Sequence, residues 1–400
     1  MIKMEGAIEF TEEQGMISDS AVSFFREQYP MATVRQLLDD ERGYTTDGWR
    51  SIGELGWLGM MIPEEFGGAG LSAKELVSVV EPMGRHLVGT PFIATTLAGQ
   101  LLLKAGSEAQ KSHLLPKLAS GAAIGSVALF EPHGAWEPDQ LRATAQRSGN
   151  GFVLSGSKAF VLDAAVADLV IVACQLDGAP ALFCLSGPQL QGRLRRETVI
   201  DETRRSHRLQ LDGLEVGSDA QLTGGDALAA LKWCHALGAL LHTAESAGGA
   251  NSALLLTVDY LKTRKQFGQL IGSYQALKHP TVDAMIAVEH SRSHLYYAAS
   301  LFNGYDGGES EVAVRMATAR QDRNEVADRG KDQGHDPHRK DQMGSRGQGR
   351  MAETQQEQRC HERNDCRKTE IDQHAPVPKA AGADNAVGRR SPIAVIRPAS

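Results

Sequence analysis

The apolar positions of the chain follow a helical period, then a strand-like pattern, then a helical period again. Over residues 1–120 they recur every three or four positions, as at Ile52 and Leu55, which predicts an all-helical segment. Ser72 and Glu75 have the spacing of a capping box and predict the start of one of these helices.

Between about residues 122 and 222 the pattern is that of a β-domain. Short apolar runs alternate with clusters of Gly, Asp, Asn and Pro, which predicts an antiparallel β-barrel or sandwich. Ser148-Gly149-Asn150-Gly151 predicts a hairpin, because Asn-Gly tolerates positive φ. The predicted strands lie within Gly125–Phe130, Phe152–Leu154, Ala159–Leu162, Leu169–Ala173, Ala181–Leu185 and His207–Leu211.

Helical periodicity returns after Gly225. It predicts a long helix from Ala227 to about Lys262, a second from about Tyr274 to Phe302, and a third that begins near Glu309. Gly248-Gly249 lies inside the long helix, where we expect a close contact with another helix.

The last 80 residues have a composition that does not support a packed core. They contain no Leu, Phe, Tyr or Trp, and 28 of the 80 are charged. Such a segment cannot bury enough apolar surface to offset the entropy of ordering. The change of composition is abrupt and falls inside a predicted helix, after Ala317, which is the pattern a shifted reading frame would leave.

These patterns predict a multidomain α+β fold. We place an N-terminal helical domain at residues 1–121, a middle β-domain at 122–222, an incomplete C-terminal helical domain at 223–320 and a disordered tail at 321–400.

Composition and charge exclude several classes of function. With 42 Lys and Arg against 49 Asp and Glu, the net charge of −7 gives no basic footprint for nucleic acid. No apolar run approaches the roughly 20 residues of a membrane-spanning helix. Five widely spaced Cys are typical of reduced thiols in a cytoplasmic protein. Cys360 and Cys366 lack the spacing of a zinc site, so we expect no metal.

The most specific segment joins the first two of the C-terminal helices. It reads Arg264-Lys265-Gln266-Phe267-Gly268, followed by Tyr274-Gln275. It resembles the signature of the acyl-CoA dehydrogenase family, Arg-x-x-Phe-Gly followed by a Phe/Tyr-Gln pair. Three further segments resemble that family in its order: Leu55–Gly59 with Pro63–Leu71, Glu131-Pro132, and Leu154–Val161. The resemblance covers about residues 9–318.

The resemblance implies an FAD-dependent enzyme that converts an acyl-CoA thioester to a 2-enoyl-CoA, with electron-transfer flavoprotein as the electron acceptor. It also implies a homo- or hetero-oligomer. Arg264 would contact the FAD pyrophosphate of a neighbouring subunit, Phe267 would pack on the adenine, and Gln275 would hydrogen-bond the adenosine half.

By the same resemblance the flavin ring lies against the β-domain. The residues implied are Phe130, Glu131, Phe160, Val161 and Leu162. The family usually has Thr at the positions of Phe130 and Leu162, where the hydroxyls bond the flavin. This chain would hold the flavin without them.

No catalytic base can be assigned from the sequence. The family's Gly-rich loop and the Glu that follows it in many members are absent. The alternative position, on the long helix, is Gly238, which has no side chain that can accept a proton. We interpret Glu245, two turns later, as a paired structural residue, and Arg204 with Arg205 as a solvated charge cluster.

Other readings stay open at this point. In one, the chain is a non-catalytic subunit that supplies Arg264, Phe267 and Gln275 to a partner's FAD. In the others, it is the non-functional product of a frameshifted gene, or a flavin oxidase of the same fold.

Overall fold

The computed structural model describes residues 11–134, 137, 140–302 and 308–326. Helices come first, strands follow, and helices come last, as the periodicity predicts. The first six helices are α1 (Glu12–Gln28), α2 (Met31–Leu38), α3 (Thr46–Glu54), α4 (Ala73–Arg85), α5 (Phe92–Ala105) and α6 (Glu108–Ala119).

The described residues in the middle of the chain form nine strands. They are β1 (Gly125–Ala128), β2 (Thr144–Ser148), β3 (Gly151–Ser155), β4 (Ser157–Leu162), β5 (Leu169–Leu176), β6 (Ala179–Ser186), β7 (Leu194–Arg196), β8 (Ser206–Gln210) and β9 (Leu214–Gly217).

The C-terminal helices are joined by a short ribbon. They are α7 (Ala227–Thr263), α8 (Gln275–Leu301) and α9 (Glu309–Val326), with β10 (Lys265–Gln266) and β11 (Gln269–Leu270) between α7 and α8. Helix α9 thus passes the predicted start of the tail at residue 321, and residues 327–400 lie outside the described part of the chain. No helix within the described ranges is long and apolar enough to cross a membrane.

Local signals in the sequence place several elements correctly. The side chains of Ser72 and Glu75 form the predicted capping box at the start of α4. The β2–β3 hairpin pairs Ser148 with Gly151, as predicted. The positive φ of its turn, +55°, belongs to Gly149 and not to Asn150.

The β-domain is mixed and not wholly antiparallel, which corrects the predicted sheet type. In the larger sheet, of order β1-β5-β2-β3-β9 with β6 on β5, β5 pairs in parallel with both β1 and β2. Parallel neighbours need a long connection, and the connection from β1 to β5 contains the β2–β3 hairpin and β4. The smaller sheet, β4-β8-β7, is antiparallel.

Helix α7 packs against α4 through glycines on both helices. A Cβ built on Gly248 would overlap the carbonyl oxygen of Glu81, and one on Gly84 would overlap that of Glu245. The predicted close contact is therefore present at Gly248. A Cβ built on its neighbour Gly249 would lie 3.8 Å from the carbonyl oxygen of Gly84, which is an ordinary contact distance.

A buried polar contact joins α8 to α4. The carboxylate of Glu81 on α4 accepts from Arg292 Nε and from Tyr296 Oη, both at 2.6 Å. The two C-terminal helices α7 and α8 are thus both fixed on α4.

The two adjacent glycines of α7 give a matched stability test. We expect Gly248→Ala to lower the free energy of unfolding by about 1–3 kcal/mol, because the added methyl overpacks the helix contact. Gly249→Ala should leave it unchanged or raise it by up to about 1 kcal/mol through helix propensity. Urea unfolding followed by circular dichroism measures both. Equal effects of the two variants would contradict the close contact.

Candidate active site

A buried ion pair fixes the strands that carry the predicted flavin contacts. Lys158 Nζ on β4 lies 2.7 Å from Glu131 Oε1, just after β1, and both side chains are almost completely removed from water. The backbone N–H groups of Arg142 and Ala143 also donate to the Glu131 carboxylate, at 2.9–3.1 Å. Burial raises the pKa of Glu131, but the hydrogen bonds from Lys158 and Ala143 outweigh burial and hold that pKa below its ordinary value.

The pair stands between Phe130 and Phe160. Phe130 precedes Glu131, Phe160 follows Lys158 by two positions, and Ala159 N donates to Phe130 O at 3.0 Å. Because both carboxylate oxygens of Glu131 have partners inside the fold, this residue can offer a ligand only its main chain. Its contribution is to set the register of β1 against β4.

Phe160 is presented outward by an irregularity in β4. The register of β4 on β8 shifts between Lys158 and Val161. Phe160 has φ +54° and its ring is 48% exposed. A positive φ is rare for an aromatic residue and costs of order 1–3 kcal/mol. Glu197 Oε2 compensates in part by accepting from the Phe160 N–H at 2.9 Å.

The other two predicted flavin contacts on β4, Val161 and Leu162, differ in how far a ligand could reach their side chains. The Val161 side chain is fully buried in the core, so only its main chain can meet a ligand. Leu162 is half-buried, and its carbonyl accepts from Ser126 Oγ at 2.5 Å.

A cleft of about 480 Å³ opens beside Phe130. The ring of Phe130 meets the imidazole of His235 on α7 edge to face, with centroids 5.6 Å apart. The cleft lies between α7 and α9, and Glu137 from the loop after β1 also lines it. Its lining combines small apolar residues with ionisable side chains: Glu137, Lys232, His235, Ala236, Ala239, Glu311, Val314, Arg315, Thr318 and Ala319.

Arg264, Phe267 and Gln275 come together at the opposite end of α7. Arg264 caps α7, Phe267 lies at the turn of the β10–β11 ribbon, and Gln275 begins α8. All three are exposed. Phe267 is 91% exposed and has φ +52°. Among the described residues, the ring of Tyr274 is the one aromatic ring near it, with centroids 6.4 Å apart.

The charges around Arg204 correct one sequence-based interpretation and confirm another. Arg204 forms an ion pair with Glu245 on α7, and its side chain is only 12% exposed. Arg205 is buried and donates to the carbonyl oxygens of Leu37 and Asp40. The interpretation of Arg204 and Arg205 as a solvated charge cluster is therefore wrong, because these side chains join the β-domain to helices on either side. Glu245 is a paired structural residue, as expected.

Sequence reasoning missed three residues of this region. Lys158, Glu137 and His235 are separated from Phe130 in sequence, and single-sequence patterns do not show that they meet. The position of Lys158 inside a predicted strand, two residues before an aromatic residue, was a usable signal of an ion pair. Lys is almost never fully buried unless it is paired. Gly238 is buried as well, one turn from His235 on α7.

Comparisons with known proteins agree with the resemblance. Residues 11–122 match the family described as acyl-CoA dehydrogenase, N-terminal domain, and residues 228–330 match acyl-CoA dehydrogenase, C-terminal domain. Acyl-CoA dehydrogenase FadE12 of Mycobacterium tuberculosis is 31% identical over 285 residues, which are 68% of this chain and 72% of the relative.

Solved structures share the fold. Butyryl-CoA dehydrogenase from Megasphaera elsdenii superposes with a TM-score of 0.72 at 21% identity, over 80% of this chain and 87% of that one. A glutaryl-CoA dehydrogenase from Mycobacterium smegmatis in complex with FADH2 gives a TM-score of 0.71 at 20% identity, over 79% of this chain and 82% of that one. At these identities the likeness shows the fold alone.

The acid that directly follows β4 provides a pH-dependent test. Asp163 is buried at φ +56°, and burial raises its pKa to about 6 against the opposing charges of Arg204 and Arg205. The pKa of Asp163 is higher in the folded protein than in the unfolded chain. The contribution of Asp163 to the free energy of unfolding is therefore complete below about pH 4 and is lost as the pH rises through 6. The difference from the ordinary value of 3.8 corresponds to about 3 kcal/mol.

We therefore expect Asp163→Asn to raise the free energy of unfolding at pH 7.5 by up to about 3 kcal/mol and to change it little at pH 4. Asn tolerates the positive φ. Asp177→Asn is the matched control, because Asp177 has φ +52° but is exposed beside Arg147. Urea unfolding at both pH values measures the effect. A loss of stability at pH 7.5 would show that the Asp163 charge is stabilising.

Proposed function

Because the chain belongs to the acyl-CoA dehydrogenase family, an FAD-dependent family of oxidoreductases, we propose that two copies of it hold each FAD between them and that the acyl thioester enters the cleft between α7 and α9. The reaction is the α,β-dehydrogenation of an acyl-CoA thioester. The proposal assigns a place to each of its components.

The side chains available suit FAD. At the end of α7, the planar guanidinium of Arg264 matches a pyrophosphate, and the free ring of Phe267 offers a face to a purine. In the β-domain, Phe130 and the exposed ring of Phe160 offer apolar surface to a flat ring system. When bound, FAD accepts the two electrons that leave the thioester as its Cα–Cβ bond is oxidised.

The length of α7 is the observation that carries the shared-cofactor proposal. His235, beside Phe130, and Arg264 are 29 positions apart, which is about 44 Å along a helix. An extended FAD molecule is shorter than this. The Arg264 end of one chain and the Phe130 end of the same chain therefore cannot serve one FAD, and a neighbour must complete each site.

Apolar side chains on α7 and α8 fit the same conclusion. Several of these side chains lie near the Arg264 end and are more than a third exposed to solvent: Leu256, Tyr260, Leu277, Val282 and Met285. Contiguous exposed apolar surface of this kind is typical of an interface between subunits. We propose a homo-oligomer, in which electron-transfer flavoprotein collects the electrons from the reduced cofactor.

The cleft has the features that the thioester needs. Small side chains, Ala236 and Ala239, leave room for an acyl group beside Phe130. Lys232 lies exposed at the cleft and can pair with a phosphate of coenzyme A. The carbonyl can then be placed against the flavin ring and oriented for loss of its α-proton.

A second candidate function rests on Gly238. Since this position carries no side chain, the chain can act as a non-catalytic subunit that lends Arg264, Phe267 and Gln275 to a partner's FAD. The two functions differ in what the purified chain does alone.

Anaerobic titration with an acyl-CoA tests the proposed function. We expect the purified chain, saturated with FAD, to lose its oxidised-flavin absorption as butyryl-CoA is added. A flavin spectrum that stays unchanged with butyryl-CoA, and bleaches only after a second family member is mixed in, would favour the non-catalytic subunit.

The shared site makes a prediction about exposed residues. Phe267→Ser should weaken FAD binding about tenfold, the equivalent of about 1.4 kcal/mol, because a base loses its stacking partner. The free energy of unfolding should not change, because the ring is 91% exposed. Met16→Ser on α1 is the control, a 73% exposed apolar residue far along the chain. Fluorescence titration of FAD gives both affinities, and equal affinities would argue against a role for Phe267.

A further inference from the structure

The cleft beside Phe130 contains an imidazole, that of His235, whose nitrogens have no hydrogen-bond partner among the described residues. Most ionisable groups that line it have partners or lie in water. Glu311 accepts from Arg315 at 2.7 and 3.0 Å, and Lys232 and Glu137 are exposed. His235 is half-buried, and its ring lies between the cleft and the Phe130 ring.

His235 and Gly238 share one face of α7. They are three positions apart, so they lie about 4.5 Å apart along the axis and nearly above one another. Ala239, four positions after His235, lines the same cleft. His235 therefore lines the cleft itself, whereas a Cβ built on Gly238 would meet the Leu97 side chain at 3.5 Å.

We propose that His235 is the catalytic base, which removes the α-proton of the acyl thioester in this cleft. The inference rests on the proposed function. The C–H bond at Cα breaks, the proton joins the unprotonated ring nitrogen, and the electron pair passes into the enolate of the thioester. The imidazolium that results lies beside the enolate and stabilises its negative charge. The hydrogen at Cβ would leave with its bonding electron pair to FAD, the oxidant of the proposed function, so that the enolate becomes the 2-enoyl thioester. The proton then leaves His235 to water at the open side of the cleft.

The surroundings of His235 suit this role. Burial lowers the pKa of the imidazole below its ordinary value, while Glu137 and Glu311 raise it and Arg315 lowers it further. The ring is then neutral at pH 7, with a lone pair available. An unprotonated imidazole is the form that a general base needs.

Exchange of the α-proton with solvent tests the base directly and does not require oxidation. The FAD-loaded protein is incubated anaerobically with butyryl-CoA in deuterium oxide, and deuterium in the recovered thioester is measured by mass spectrometry. We expect His235→Asn and His235→Gln to lower the exchange rate about 100-fold or more, the range that a general base supplies. FAD affinity should stay unchanged in both. Exchange by the wild type should fall as the solution is made acidic through the lowered pKa of His235.

Two control variants decide between His235 and other groups. His242→Asn, seven positions further along α7 and outside the cleft lining, should exchange at the wild-type rate. Glu137→Gln removes a charge that raises the pKa of His235, so its exchange should persist and should fall at a lower pH than that of the wild type. Loss of exchange in Glu137→Gln with wild-type exchange in His235→Asn would overturn the proposal and make Glu137 the base.

The outcomes also separate this inference from the proposed function. Bleaching of the wild type and of His235→Asn at equal rates would overturn the role of His235 and leave the function standing. Exchange that depends on His235, without bleaching of the wild type, would support the base and contradict the function. No exchange by the wild type would overturn the role of His235, and bleaching of the wild type would then decide by itself whether the proposed function stands.

Discussion

The carboxylate of Glu131 and the ammonium of Lys158 meet inside the β-domain, where neither reaches water. Breaking a buried pair by removing one partner typically costs about 3–5 kcal/mol, because a charge is left without compensation. Here the pair also fixes geometry. It ties the end of β1 to β4 and, through the N–H groups of Arg142 and Ala143, to the start of β2. Phe130, Phe160 and the loop that carries Glu137 all depend on it.

Helix α7 extends this arrangement into the rest of the molecule. Near its start, His235 meets Phe130. In its middle, Gly248 packs against the backbone of α4 and Glu245 pairs with Arg204. At its end, Arg264 and Phe267 stand in solvent. One helix thus carries the cleft at one end and Arg264 and Phe267 at the other, and under the proposed function each FAD site takes residues from two copies of the chain.

Local chemistry made much of the fold predictable. The Ser72 capping box, the hairpin at Gly149 and the close approach at Gly248 each depend on residues adjacent in sequence or on one helix face. The parallel pairing of β5 with β1 and β2 was not predictable, because register between distant strands leaves no local pattern.

The candidate site divides in the same way. Arg264, Phe267 and Gln275 belong to one compact motif, the connection from α7 to α8. Burial of Arg205 was missed, since it depends on carbonyl groups at the end of α2, more than 150 positions earlier in the chain. Arg204 was missed because its partner, Glu245, lies on α7. The contact of His235 with Phe130 joins two domains and was missed for the same reason. Long-range contacts of this kind decide which charged residues are structural and which are available for chemistry.

The affinity for FAD of a variant that lacks the buried pair tests the central claim most directly. In Glu131→Gln/Lys158→Met both charges are removed together, so no unpaired charge is left in the core. If the pair positions Phe130 and Phe160, FAD should bind at least about tenfold more weakly, the equivalent of about 1.4 kcal/mol, while urea unfolding stays cooperative. Wild-type affinity in this cooperatively folding variant would contradict the claim that the pair holds the flavin-facing strands in place.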